Sequence, residues 1–259
     1  MRKILFLTDP HCGNDAGLAL PTADYLSPNT HDIQLQFADW FFPEMKAHGP
    51  YDGVMALGDL VDGEGKKGTM DTYLTKIDRQ ADCAAEILEA TGVDHNYIWI
   101  VRGTPFHTAG VLEYEDLVAH KLGCTCENVQ KKCIEGWNVH GKHVLGRSDV
   151  PYGQGTPLMK ELNRLENEAF REDKDAPDVI ARGHVHYDSL VKKHNRQAFA
   201  CPALELPLDG TNSRRYSSAE YDVGFVVGYF EKGQRIPLFE SVIMPLRLIK
   251  EGDYECVNW

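Results

Sequence analysis

The sequence predicts an α/β fold, a mainly parallel sheet covered by helices, and three observations carry that expectation. Short apolar runs of strand length alternate with longer segments of helical periodicity through the first hundred residues. The apolar runs end in turns that carry Asp, His, Gly or Thr rather than further apolar residues. From Asp188 to Ala200, and again from Gly224 to Met244, extended segments follow one another with no long helix between, which predicts antiparallel strands beside the first sheet. The 259 residues suit one domain over 1–259, since no repeat, low-complexity tract or Pro/Ser-rich linker divides them.

Lys3 to Thr8 is a short apolar run closing on Thr-Asp-Pro-His, the form of a buried strand. Residues 10–32, rich in Gly, Pro, Asn and Asp, form a long loop of the kind that is functional or disordered. His31 to Lys46 places Ile33, Phe37, Trp40 and Phe41 at helical spacing. Tyr51 to Leu57 is a second strand, ending in Gly58-Asp59. A helix over 71–91 aligns Leu74, Ile77, Ala81, Ala84, Ala85 and Leu88, with Gly92 as its C-terminal stop. Tyr97 to Val101 is a third strand, followed at once by Arg102-Gly103-Thr104. Further on come a strand over Trp137 to Leu145, a helix over Thr156 to Arg171 and a strand over Val179 to Arg182 that meets Gly183-His184. Asp188 to Ala200 and Gly224 to Met244 are extended.

Composition narrows the function. With 39 acidic against 27 basic residues the formal charge is −12, which opposes tight non-specific binding to nucleic acid. No apolar run reaches the roughly 18 residues of a membrane span. Asp9 and His11 interrupt the first apolar stretch too early for a signal peptide, so a cytoplasmic protein is expected. Seven cysteines, an odd number, fit reduced thiols in that compartment. Cys124, Cys126 and Cys133 invite a zinc reading, against which stands the lack of a second CxxC or a nearby His pair.

The chemistry gathers at strand ends. Asp9 and His11 follow the first predicted strand, and Asp59 follows the second. His107 comes shortly after the third, His143 lies in or just beyond the fourth, and His184 and His186 follow the fifth. Ligand sites of open α/β sheets lie at the carboxyl ends of strands, so five strands deliver carboxylates and imidazoles to one edge. In extended chain, residues two apart point the same way, which lets Asp9 and His11, and His184 and His186, converge. Asp with neutral His suits Mn, Zn, Fe or Ni, and two such ions about 3.5–4 Å apart serve in-line displacement at phosphorus.

Thr8-Asp9-Pro10-His11, Gly58-Asp59-Leu60-Val61-Asp62-Gly63 and Gly183-His184-Val185-His186 resemble the D-x-H, G-D-x-x-D and G-H-x-H blocks of the calcineurin-like metallophosphoesterases. The blocks occur in the family's order, each after a predicted strand. The resemblance implies a four-layer α-β-β-α sandwich and two divalent ions. Asp9, His11 and His186 would hold the first, Asp59 would bridge, and His184 would hold the second. A fourth-block histidine would join them. His140 and His143 compete for that role, and His143 is preferred because Gly146-Arg147-Ser148 turns the chain just after it. The third block departs from the family's G-N-H-D pattern, reading Arg102-Gly103-Thr104-Pro105-Phe106-His107. The R-G-T-x-x-H form is similar to variant phage and prophage phosphoesterases. Thr104 would offer a hydroxyl in place of the Asn, and His107 would contact the phosphate or protonate the leaving oxygen.

A lone histidine after a strand is more often structural than ligating, a discount that applies to His107, His140 and His143 taken singly. Arg102, Arg147, Arg214 and Arg215 match phosphate bidentately, although each has acidic partners in plenty. Asp62 reads as a loop-organising carboxylate that accepts backbone N–H groups. The stretches 12–30 and 209–216 are placed to rim a pocket, and Cys12 is expected to turn away from the centre. The expected function is a two-metal phosphoester hydrolase, a phosphodiesterase before a phosphatase, attacking through a metal-bridging hydroxide on a substrate such as a nucleotide. A nuclease and a metal-bearing scaffold without turnover are the alternatives.

Overall fold

The computed structural model describes residues 1–64, 71–104, 114–148, 150–208 and 221–245. Its central strands are apolar on both faces, and that property dictates the layering. In β1 (Arg2–Leu7) Leu5 and Leu7 face one core while Ile4 and Phe6 face another. The same alternation divides β2 (Gly53–Ala56), where Val54 and Ala56 part from Met55. It recurs in β3 (Ile98–Val101), where Ile98 and Ile100 part from Val101. A strand with two apolar faces needs a cover on each, so the sheet is sandwiched.

On one side lie α1 (His31–His48), α2 (Ile77–Glu89) and α3 (Tyr114–Leu122). Phe37, Phe41, Ala81, Ile87, Leu88, Val118 and Leu122 join Leu5, Leu7, Val54 and Ile100 in that core. On the other side lies a second sheet, built from β5 (Gln130–Ile134), β6 (Trp137–Lys142), β7 (Val179–Arg182), β8 (Ser189–Lys193) and β9 (Arg196–Ala200). Val139, Val179, Ala181 and Phe199 meet Ile4, Phe6, Met55 and Val101 between the sheets. The outer face of the second sheet is covered by α4 (Gly155–Arg171) through Leu158, Leu162 and Leu165. The four layers α-β-β-α are therefore those that the motif resemblance implied.

The first sheet has six strands in the order β11-β10-β1-β2-β3-β4, with β4 at Thr125–Glu127, β10 at Gly224–Phe230 and β11 at Leu238–Ile243. β1 to β4 run parallel, and β10 joins β1 antiparallel. The second sheet has five strands in the order β5-β6-β7-β9-β8, parallel at β6-β7 and β7-β9. Only β10 and β11 of the late strands extend the first sheet. The expectation that all of them lie beside it is corrected, because Phe199 and Ala181 bury against Phe6 from above rather than alongside. The α3 helix and strands β4 and β5 also went unforeseen. The helix expected over 71–91 starts only at Ile77, because the Tyr73 and Leu74 amides donate to the Gly13 carbonyl (3.0 and 3.2 Å). The loop over residues 10–32 is ordered: Gln34 donates to the Asn14 and Gly17 carbonyls at 2.9 Å, and buried Asp15 accepts from Ser27 and Asn29.

Cys126 on β4 lies opposite Ile100 in the first sheet, whereas Cys133 on β5 lies opposite Asn138 in the second. Among the described residues these cysteines form no metal-holding group, which removes the basis for a zinc finger. Cys12, as expected, points into the core, with Sγ 3.7 Å from the Leu18 carbonyl. Among the described residues no helix is long and apolar enough to cross a membrane.

Phe199 ties the two sheets together, stacking edge-on to Phe6 at 5.0 Å between centroids and tilted against Phe239 at 4.8 Å. Phe199→Ala is expected to cost about 3–5 kcal/mol in urea denaturation, because the sheets cannot close over the void. A loss below about 1 kcal/mol would mean that the sheet interface relaxes freely.

Candidate metal centre

Strand ends from both sheets converge on one place. β1 delivers Asp9 and His11, β2 delivers Asp59, β6 delivers His143, and β7 delivers His184 and His186. Their chains are laced together: the Asp9 amide donates to the Gly58 carbonyl at 3.0 Å, His11 to Asp59 at 3.2 Å and Gly183 to His143 at 3.0 Å. Asp9, His11, Asp59, His184 and His186 all have left-handed backbones, with φ between 42° and 73°. Such turns swing side chains off the strand axis and into the centre.

Two groups result, Asp9 with His11 and His186, and Asp59 with His143 and His184. Within each group one ligand atom per residue lies within 4.8 Å of the others. Asp9 Oδ1 is 3.2 Å from His186 Nε2 and 3.7 Å from His11 Nε2. It also lies 3.9 Å from His143 Nε2, so the first carboxylate spans the boundary between the groups. Thr8 Oγ1 (2.6 Å) and the His184 amide (3.0 Å) donate to the other oxygen, Oδ2, and fix the carboxylate. His143 Nε2 is 3.0 Å from Asp59 Oδ2.

Of His140 and His143, the structure turns only His143 toward the carboxylates. His143 Nδ1 donates to the Leu57 carbonyl at 2.6 Å, which commits the proton there and aims Nε2 at the carboxylates. That Nε2 is buried, with Asp59 Oδ2 at 3.0 Å and Asp9 Oδ1 at 3.9 Å before it. His140 sits on the opposite strand face, where Arg182 Nη1 lies 3.2 Å from its Nδ1 and donates to its carbonyl at 3.0 Å. Burial and the neighbouring guanidinium push the His140 imidazole down to about 3, so it stays neutral. Arg182, fully buried, pairs in turn with Glu161 of α4 at 2.7 Å.

Burial alone would hold His143 neutral, but Asp59 and Asp9 outweigh it and raise the imidazole to about 9. Asp9 is likewise opposed by burial and carried well below the ordinary range by His186 and His143. Two carboxylates and four imidazoles thus stand face to face in a dry site, a donor set that fits divalent transition ions.

The third block takes a supporting place. Thr104 donates from its backbone amide to Asp59 Oδ1 at 2.6 Å, and its hydroxyl lies 3.2 Å from both Asp59 oxygens. Arg102 Nη2 meets Asp116 Oδ1 of α3 at 2.7 Å, so the fork expected at phosphate is engaged by a protein carboxylate. Arg147 is half-buried beyond His143, while His107, Arg214, Arg215 and the 209–216 stretch lie outside the described residues. Asp62 accepts from the side chains of Asn14 (3.2 Å) and Thr72, and its Oδ1 is 3.6 Å from His11 Nδ1. It organises the loop as expected, but through these side chains.

Three functional neighbours were missed. Glu115, buried in the first turn of α3, faces Leu60 N at 3.4 Å, and burial and Asp59 raise its carboxyl to about 7. The recurrence of Tyr114, Val118 and Leu122 was the signal that could have placed its helix. Glu205 and Tyr221 back His186 from irregular chain that carries no pattern.

The fold is a four-layer α-β-β-α sandwich. No protein-family model and no curated protein sequence matches the chain. Among solved structures it is similar to an archaeal phosphodiesterase at 10% identity, covering 93% of this chain and 99% of that one, with a TM-score of 0.49. Vps29 from Entamoeba histolytica complexed with Zn2+ is 13% identical, with 93% and 98% covered and a TM-score of 0.42. A predicted phosphoesterase from Streptococcus pneumoniae is 11% identical, with 93% and 98% covered and a TM-score of 0.40.

A Cβ added at Gly103 would lie 1.9 Å from Asp59 Oδ1. Gly103→Ala is therefore expected to displace Asp59, costing about 1–3 kcal/mol in denaturation and weakening ion binding at the second group in a Mn2+ titration. Unchanged Mn2+ binding would show that Asp59 has room to move.

In the metal-free protein the raised His143 contributes stability that is fully present below its ordinary value of 6.5 and is lost as pH rises through about 9. An ion taking His143 Nε2 must displace that proton. Calorimetric Mn2+ titration at pH 7 in buffers of different ionisation heat is expected to show proton release that fades as pH rises through about 9. Release that is absent at pH 7 would place His143 outside the ligand set.

Proposed function

We propose that this chain is a two-metal-dependent phosphoester hydrolase of the calcineurin-like type, acting on phosphodiesters in preference to monoesters. The convergence of the two Asp/His groups, with Asp9 Oδ1 within reach of imidazoles of both, carries the reading. Asp9, His11 and His186 would hold one ion, and Asp59, His143 and His184 the other, with Asp59 as the bridging carboxylate. When bound, such ions polarise phosphoryl oxygens and bring the pKa of water near neutral.

The chain's own groups prepare that chemistry. Thr104 pins Asp59 with two neutral donors, and Thr8 with the His184 amide pins Asp9, so neither carboxylate must reorganise when substrate arrives. The Leu57 carbonyl fixes the tautomer of His143. His107 is proposed as the group that protonates the departing oxygen. The paired histidines of Gly183-His184-Val185-His186 favour a diester, and a nucleotide is the substrate class considered first. The charge of −12 argues against a nucleic-acid polymer as substrate.

Hydrolysis of bis-p-nitrophenyl phosphate and p-nitrophenyl phosphate with Mn2+, Ni2+, Zn2+ or Mg2+ tests the reading. The expected outcome is diester cleavage that requires a transition metal and falls to the uncatalysed background in Asp59→Asn. Monoester cleavage alone would overturn the diester preference. Metal uptake with neither ester cleaved would favour the non-catalytic scaffold, for which the absent third-block Asn is the specific support.

A further inference from the structure

The two groups are not backed alike. Behind the first, His186 Nδ1 lies 2.8 Å from the Tyr221 hydroxyl and 3.3 Å from Glu205 Oε2. Tyr221 donates to that same Oε2 at 3.1 Å, closing a triangle of part-buried polar atoms. The other imidazole of the group, His11, has Asp62 Oδ1 at 3.6 Å from its Nδ1. Two carboxylates therefore stand behind the two imidazoles.

Behind the second group the support is neutral. His143 Nδ1 donates to a backbone carbonyl, and Asp59 accepts from the Thr104 amide and hydroxyl, which draw electron density from the carboxylate. Glu115, the acidic neighbour on this side, faces the Leu60 amide and Asp59. An imidazole whose Nδ1–H points at a carboxylate is a more basic ligand held in one tautomer, and such support typically changes ion affinity by about 10–100-fold.

We propose that Glu205, acting with Tyr221, is a positioning residue for His186 that makes the Asp9–His11–His186 group the tighter of the two cation sites, so that this position loads first and the Asp59–His143–His184 position is the exchangeable one. The inference rests on the two-metal reading above and adds an order of loading and the residues that set it. Its consequence is that the second ion controls how much of the protein is fully loaded at a given ion concentration.

The test is an equilibrium Mn2+ titration of the full chain, read by calorimetry and by metal content after dialysis, with no substrate present. Two unequal classes of site are expected, and His184→Ala is expected to remove the weaker one while retaining the tighter. Glu205→Gln should weaken the tighter class by about 10–100-fold and leave the weaker class unchanged. Tyr221→Phe, which keeps the carboxylate, should weaken it less, and Glu205→Asp should restore part of the loss. Unfolding in EDTA separates a folding defect from a ligand effect. Two ions bound with the tighter class unmoved in Glu205→Gln would overturn the positioning role alone. Failure of the wild type to bind two ions would overturn the two-metal reading and this inference together.

Discussion

A carboxylate with no exposure to water must be neutralised where it lies, and Asp9 imposes that requirement on everything around it. One of its oxygens takes the Thr8 hydroxyl and the His184 amide, and the other faces His11, His186 and His143. Strand β1 supplies Asp9 from the first sheet, while β6 and β7 supply the imidazoles from the second. The charge therefore ties the sheets together at one end, as Phe6 and Phe199 tie them in the middle.

Backbone strain is concentrated at the same place. Non-glycine residues in the left-handed region cost of order 1–3 kcal/mol each, and five of the six candidate ligands adopt it. Asp bears the conformation better than most side chains, but four of these turns lie within two short blocks. The cost persists because laced backbone bonds between the loops after β1, β2, β6 and β7 over-determine them. Glycines clear the remaining space: a Cβ at Gly183 would lie 2.2 Å from Thr8 Oγ1. The motif glycines and the motif ligands thus form a single steric solution.

The same physics separates site from scaffold. His140 lies within β6 and His143 just beyond its end, and the two face opposite sides of the sheet. The outward one meets a buried guanidinium and stays neutral, while the inward one meets two carboxylates and gains a proton. Arg182 and Arg102 show the complementary outcome for cations. Each guanidinium finds its carboxylate within the protein, at Glu161 and at Asp116, which stitches α4 and α3 to their sheets.

The sequence by itself determined the strand-helix alternation of the first hundred residues and five of the six converging Asp and His side chains, because apolar periodicity and short motifs are local properties of the chain. It left the sixth position between His140 and His143, and in the structure only His143 faces the carboxylates. Only the tertiary structure decided that β5 to β9 stack as a second sheet, since strands flanked by turns look alike whether they extend a sheet or cover one. Only it set Thr104 against Asp59 and engaged Arg102 with Asp116, because these contacts depend on which side chains arrive from α3 and β2. Glu115, Glu205 and Tyr221 were illegible for the same reason. They reach the centre from helix and irregular chain far away in sequence, and a carboxylate's role behind an imidazole is set by a distance that no spacing encodes.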